Sequence, residues 1–385
     1  MSRYVCDENM CTGCMACKDI CSQGAIAVID SVKHYNAVID ENKCIECGKC
    51  GKVCQNASEP VVSKPVIWHQ GWSKNQDTHE SSTSGGLAAE IEKEFIRNGG
   101  AVCSCTFEDG RFKFRVVRSV EEVGIFRGSK YVKSNPTGVY REIKTLLERG
   151  EKVLFLGLPC QVAAVKKYCD APNLYAVDII CHGTPSPSVL EHFLHSSGID
   201  INDVSTISFR VKDYSRISDN AIRFAVPGIR DYYSYCFGKA LDYTENCYIC
   251  RYARLERVSD LTLGDAWGSE LPVEVRKKGV SVALCQTPKG EKLLNNENLE
   301  LMPIDLEKVL KANPQLSHPS KKPENWNSIM NDISNGIKLK KIIRKNYPKL
   351  YYKNILKTIL NKVGLYPRKK TRMNPIFLTI EKERI

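Results

Sequence analysis

Two stretches with one shared cysteine spacing constrain this chain most: "CTGCMACKDIC", Cys11 to Cys21, and "CIECGKCGKVC", Cys44 to Cys54. Both read C-x2-C-x2-C-x3-C. Disulfide partners need no common spacing, and structural zinc usually pairs two separated C-x2–4-C knuckles. Four thiols packed into eleven residues, and then repeated, suit a pair of cubanes in which the fourth cysteine of each run crosses to the other cluster. On that pattern Cys11, Cys14, Cys17 and Cys54 hold one [4Fe–4S] cluster, and Cys44, Cys47, Cys50 and Cys21 hold the second. The x2 gaps wrap a tight loop that also aims backbone N–H groups at the anionic sulfurs. Cys6 falls outside both runs and reads as a bystander thiol.

This pattern resembles the two-cluster ferredoxin module and covers about residues 1–58. The segments "CSQGAIAVID" and "KHYNAVIDENKC" supply two short alternating apolar strands between the loops. Ser22 and Gln55 stand where the module usually carries proline. A pure electron carrier could stop near residue 60, yet the chain has 385 residues, enough for two or three domains.

Eighteen cysteines with no apolar h-region in "MSRYVCDENM" fit reduced thiols and a cytoplasmic setting, not a disulfide framework. No apolar run reaches the roughly 18 residues that span a bilayer.

"EPVVSKPV", residues 59–66, reads as a linker. Beyond it the expectation is an α/β domain over residues 66–310. "VIWHQGWS" is a strand. "LAAEIEKEFIRNG" is an amphipathic helix closed by Gly99 and Gly100. "AVCSCTFEDGRFKFRVVRS" is a hairpin turning at Asp109–Gly110. Two βα units follow: a strand Val153 to Leu156 with a helix from about Gln161, and a strand Leu174 to Ile180 with a helix from about Ser188. Their loops fall at the carboxyl ends of strands, where open α/β sheets bind ligands, and each presents a cysteine there, Cys160 and Cys181. Further strands are expected at "TISFRVKD", "AIRFAVPG" and "DLTLGDAWG".

The motifs "SSTSGG", "GSKYVKS", "FLGLPCQVAAV", "CHGTPSP" and "CYICRYARLERVSDLTLGDAWG" together resemble the coenzyme F420 hydrogenase/dehydrogenase β-subunit family over roughly residues 66–290. The resemblance implies an FAD-binding iron–sulfur oxidoreductase, and the fused N-terminal module looks most like bacterial members linked to surface-polysaccharide synthesis. It implies electrons entering from reduced ferredoxin or reduced coenzyme F420, passing through two clusters to FAD, and leaving to a small organic substrate. It also implies cofactor contacts at Ser84, Gly85, Gly86, Ser129, Lys130, Tyr131, Cys160, Gln161 and Cys181. A phosphate or substrate carboxylate is the expected partner of Lys130. Cys160 and Cys181, with Cys247 and Cys250 of "CYIC", make a four-thiol set suited to a third [4Fe–4S] cluster; inert buried thiols are the alternative. His182 is a candidate proton donor. Asp265 is a candidate carboxylate facing flavin or substrate, and Trp267 a stacking ring. Cys103, Cys105, Cys169, Cys236 and Cys285 read as core or bystander thiols.

The net charge of +12 is concentrated. Residues 338–372 carry thirteen Lys or Arg and no Asp or Glu, so the rest of the chain is near neutral. Residues 311–385 therefore read as a basic helical tail. In "LYYKNILKTILNKVG", Tyr351, Ile355, Ile359 and Val363 share one face with lysines between, the pattern of a helix lying on an anionic membrane surface. The alternative is docking on the protein's own body or on a partner. No nucleic-acid motif is present. A homo-oligomer is compatible with the sequence. Two rival functions remain open here: a non-catalytic electron-transfer subunit of a larger redox complex, and a cluster-bearing binding protein without flavin.

Overall fold

The computed structural model describes residues 3–212, 221–225, 230–365 and 376–380. The strands are β1 (Ile26–Asp30), β2 (Tyr35–Ile39), β3 (Ile67–Ser73), β4 (Ala101–Glu108), β5 (Arg111–Val117), β6 (Val153–Gly157), β7 (Leu174–Ile179), β8 (Val204–Ser208), β9 (Ile222–Arg223), β10 (Leu261–Asp265), β11 (Ser281–Cys285), β12 (Leu299–Met302) and β13 (Phe377–Ile380). They form a two-stranded, an eight-stranded and a three-stranded sheet.

The N-terminal module pairs β1 with β2 antiparallel, Ile26 opposite Ile39. Short helices Ala16–Ile20 and Lys49–Val53 carry the third cysteine of each run and pack together. Met15 and Gly48, which precede them, are left-handed, and this is how each loop turns around its thiols before entering a helix.

The large sheet runs β12-β3-β11-β10-β7-β6-β4-β5. Its centre, β10-β7-β6-β4, is parallel, and both flanks are antiparallel. Alternation along the central strands divides the core by face. Val153, Phe155, Leu174 and Ala176 meet helices Val139–Glu148 and Pro159–Tyr168, while Leu154 and Val177 meet helix Leu87–Arg97. The β4–β5 hairpin turns at Asp109 and Gly110, both left-handed, with Glu108 opposite Arg111. The strands, helices and hairpin expected between residues 66 and 200 are present, with helix starts at Pro159 and Pro187.

Three strands went unforeseen: β11 and β12 complete the antiparallel flank, and β13 inserts between β8 and β9. The strand expected over "AIRFAVPG" is described only as β9 and its immediate neighbours; residues 226–228 lie outside the described residues, as do the last residue of "TISFRVKD" and residues 366–375 of the basic segment.

Two boundaries of the sequence reading look different in space. Cys14, Ala16 and Val53 share one core with Val139, Tyr140, Ile143 and Val162, so the N-terminal module is welded to the α/β body. Both carboxylate oxygens of Asp19 accept from Gly138 N, at 2.7 and 2.8 Å, and Tyr140 Oη donates to Cys14 O at 2.7 Å. The stretch expected as a linker is pinned too, Ser63 and Arg257 exchanging backbone bonds at 2.9 Å. At the other end, Trp326, Ile329, Met330, Leu339, Ile342 and Ile343 enter the same core as Val189, Leu190 and Tyr233. The basic segment is therefore body as far as helix Leu339–Asn346, and only the last helix, Pro348–Lys362, projects.

Candidate electron-transfer site

Cys11, Cys14, Cys17 and Cys54 line one cavity in the N-terminal module, together with Thr12, Met15, Gln55 and Asn56. All four are at least nine-tenths buried. Gly13 N donates to Cys11 Sγ at 3.4 Å, the kind of amide-to-sulfur bond a cluster loop supplies. Cys6 lines this cavity as a fifth sulfur, next to Cys11 and Cys54. The Cys11 sulfur, then burial, push its thiol up to about 11. The sequence reading missed this contact because Cys6 has no partner at motif spacing.

The second set is more open. Cys44, Cys47 and Cys50 stand close enough to influence one another, and Cys47 is exposed. Cys21 and Cys50 pack against the same apolar cluster, beside Cys17 and Ile26, and Ala25 N donates to Cys21 Sγ at 3.3 Å.

In the body, Cys160 follows β6, Cys181 follows β7 and Asp265 ends β10, so three adjacent parallel strands bring them to one sheet edge. Cys247 and Cys250 arrive on and just after the short 3-10 helix Glu245–Ile249. All four cysteines line a single cavity, with about 700 Å³ of free space including its mouth. Gly183 N donates to Cys181 Sγ at 3.4 Å, and the Thr244 hydroxyl lies 3.5 Å from Cys247 Sγ. Gly183 has φ +121°, and a Cβ there would meet the Tyr243 ring at 2.3 Å, so the loop can pass only as glycine.

Met10, Thr12 and Asn56 of the N-terminal module line the same cavity, so the first and third cysteine sets are neighbours across the module boundary. Tyr252 Oη, also on the wall, donates to Gln55 Oε1. Among the described residues no three Cys, His, Asp or Glu side chains converge on one ion position. The sulfurs stand around cavities instead, as a multi-iron core requires and a tetrahedral zinc ion at about 2.3 Å does not. Burial drives the thiols of Cys14, Cys17, Cys160 and Cys250 up and Cys181 to about 12, so thiolates here need a cationic partner such as iron.

Two cations that no motif announced line the body cavity. Lys133 is 5% exposed and Arg257 2%. Burial works against the charge on Lys133, but the sulfurs of Cys247, Cys160, Cys11 and Cys181 hold its pKa above the usual lysine value. Arg257 donates from Nη1 to Tyr252 O at 2.8 Å and faces Asp178 at 4.0 Å, while its Nε and Nη2 have no partner.

His182 lines the cavity beside Cys181. Burial pulls its pKa below the usual histidine range against the pull of Asp265. It is therefore neutral near pH 7 and suited to hold or accept a proton, a correction to the donor role expected from sequence. Asp265 pairs with Arg210, Nη1 to Oδ2 at 2.5 Å, and that guanidinium lies over Trp267 at 5.8 Å. Tyr131 contacts Arg210 and stacks on Phe237 at 4.1 Å. Asp265, Trp267 and Tyr131 thus belong to one group organised by Arg210, which the sequence reading overlooked.

The expected flavin contacts divide. Ser84 Oγ donates to Val280 O at 2.8 Å, and Gly85 N donates to Ser281 Oγ at 2.9 Å. A Cβ on Gly85 would sit 2.3 Å from Gly71 O, so its glycine serves a close strand–loop approach. Ser84 and Gly85 are thus not free donors for a diphosphate. Gly86 opens helix Leu87–Arg97, and Ser129 Oγ lies 3.2 Å from Thr83 Oγ1, with the buried Nε of Arg127 unpartnered close by in sequence. These groups fit an anion at a helix N-terminus. Lys130 Nζ donates to Phe126 O and Arg127 O at 2.6 and 3.0 Å, closing its own turn. Gln161 bonds Leu158 N and Ser134 Oγ, both capping contacts, and is not a cavity wall.

Of the remaining cysteines, Cys103, Cys236 and Cys285 are buried in core, and Cys105 and Cys169 pack at its edge. No described helix is long and apolar enough to cross a membrane.

Residues 150–307 match the family model for the C terminus of the coenzyme F420 hydrogenase/dehydrogenase beta chain. That span contains all four body cysteines, His182 and Asp265. A chain of the xenon-derivatised F420-reducing [NiFe] hydrogenase complex from Methanosarcina barkeri is similar at 16% identity and a TM-score of 0.44, over 75% of this chain and 94% of that one. No curated protein matches.

Proposed function

Because residues 150–307 place the chain in a coenzyme F420 hydrogenase/dehydrogenase β-subunit-like family, we propose that it is an iron–sulfur flavoprotein oxidoreductase. Electrons enter at the exposed set Cys44, Cys47, Cys50 and Cys21, pass the buried set Cys11, Cys14, Cys17 and Cys54, and reach a third [4Fe–4S] site at Cys160, Cys181, Cys247 and Cys250. The observation that carries this reading is the shared wall: the loop between Cys11 and Cys14 lines the cavity of the four body cysteines. A bound FAD would exchange single electrons with clusters and electron pairs with an organic substrate.

The chain's own residues do the rest. Buried thiols exclude water, and amide and hydroxyl groups of Gly13, Gly183 and Thr244 satisfy sulfur. Arg210 fixes Asp265 and Trp267 at the sheet edge, and neutral His182 holds a proton at its imidazole. The electron source is a low-potential donor, reduced ferredoxin or reduced coenzyme F420. The substrate is a small organic acceptor in surface-polysaccharide assembly, a reading that rests on the family resemblance of the sequence.

Rapid mixing under anaerobic conditions tests it. Reduced donor should bleach the flavin of the wild-type protein, and Cys47→Ser should slow that step at least tenfold with FAD still bound. Bleaching at an unchanged rate in the variant would refute the entry route. Flavin reduction with no turnover of any acceptor would favour an electron-transfer subunit instead.

Peripheral membrane contact belongs to the same proposal. On helix Pro348–Lys362 Tyr351 is buried, but Tyr352, Ile355, Leu356, Ile359 and Val363 are exposed at three- and four-residue spacing. This differs by a small rotation from the face expected through Tyr351. An apolar strip flanked by Lys349, Lys353 and Lys362, in a stretch without acids, is complementary to an anionic bilayer surface.

A further inference from the structure

Lys133 is a buried cation with no carboxylate beside it. Among the described residues its Nζ has one hydrogen-bond acceptor, Thr12 O at 3.1 Å, and lies 5.2 Å from the centre of the Tyr35 ring. Gly13 makes room for this, since a Cβ there would stand 3.0 Å from Tyr35 and 3.1 Å from Lys133 Cδ. An ammonium group out of water is costly unless negative charge stands near it. Arg257, across the cavity, has the Asp178 carboxylate. Lys133 has only sulfur: it touches the loop between Cys11 and Cys14 and also lines the cavity of Cys160, Cys181, Cys247 and Cys250.

We propose that Lys133 is the shared electrostatic element of the first and third cysteine sites, favouring the reduced state of both so that an electron can pass between them. The inference rests on the reading that the body set holds a cluster. Transfer oxidises the Cys11 site by one electron and reduces the Cys160 site by one; no bond forms and no proton moves. The added negative charge stays beside the same ammonium before and after the step. Lys133 acts through the sites it faces, as a positioning residue.

The test is an anaerobic redox titration of full-length wild type, Lys133→Met, Lys133→Gln and Lys133→Arg, followed by electron paramagnetic resonance, with iron counted in each sample. The neutral variants should lower the potentials of two clusters, each reduction constant falling roughly tenfold, or about 59 mV for one electron. Lys133→Arg should stay near wild type, and the Cys44 site should not move. Iron lost from both neutral variants but kept in Lys133→Arg would also support the charge. Unchanged potentials at full iron content, or equal changes in all three variants, would overturn the inference. About eight irons in the wild type, the content of two cubanes, would overturn the third-site reading itself and this inference with it.

Discussion

Asp242 is fully buried, and neither carboxylate oxygen has a hydrogen-bond partner. Burial pushes its pKa up to about 7 from the usual 3.8. The folded state therefore holds this proton more tightly than the unfolded state does. Its contribution is fully present below pH 3.8 and is lost as pH rises through 7. Asp242→Asn should stabilise the protein at pH 8.5 by an amount on the order of a few kcal/mol and by clearly less at pH 6. Thermal unfolding at the two pH values would show it; an equal or opposite effect would mean Asp242 has a charged partner. At the same scale, Cys181→Ser or Cys250→Ser should lower iron by about four per chain, one cubane, and leave the N-terminal sites loaded. The cysteines could be read from sequence because their chemistry is local spacing. Lys133, Arg257 and Arg210 could not, because each matters through partners more than fifty residues away that only the folded sheet edge assembles.

At the level of elements, the parallel centre and its βα units carried strong signals: alternating strands, glycine–proline loops and capped helices. The flank was harder. β11 is buried along its whole length and shows no alternation, and β12 and β13 have four residues each. The Ser84–Gly86 loop shows another limit. Its composition suits a diphosphate, but whether Ser84 and Gly85 are free depends on β11 and the residue before it, which take both donors. The last helix yields a direct prediction. The protein should sediment with vesicles rich in phosphatidylglycerol and not with neutral phosphatidylcholine, and high salt should weaken binding. Leu356→Glu with Ile359→Glu should reduce it at least tenfold. Self-association lost in the same variant, without vesicle binding by the wild type, would make the strip a dimer contact instead.

For the whole molecule, the weld between module and body is the main feature that no motif carried. A ferredoxin-like unit on a proline-bearing connection suggests a detachable carrier, yet Ala16 is fully buried against the body and Asp19 closes on Gly138. Removing residues 1–58 should bare Tyr140 and Ile143, both fully buried in the intact chain. The truncated protein should be recovered mainly as aggregate; a soluble, flavin-binding fragment with a cooperative melt would argue for independent modules. Such a weld suits an electron path, because it fixes the first cysteine set against the third.

The most direct measurement is iron, acid-labile sulfide and flavin per chain after anaerobic purification. The account predicts about twelve irons, three cubanes of four, with about one FAD. About eight irons, or an iron-loaded protein that carries no flavin, would contradict it.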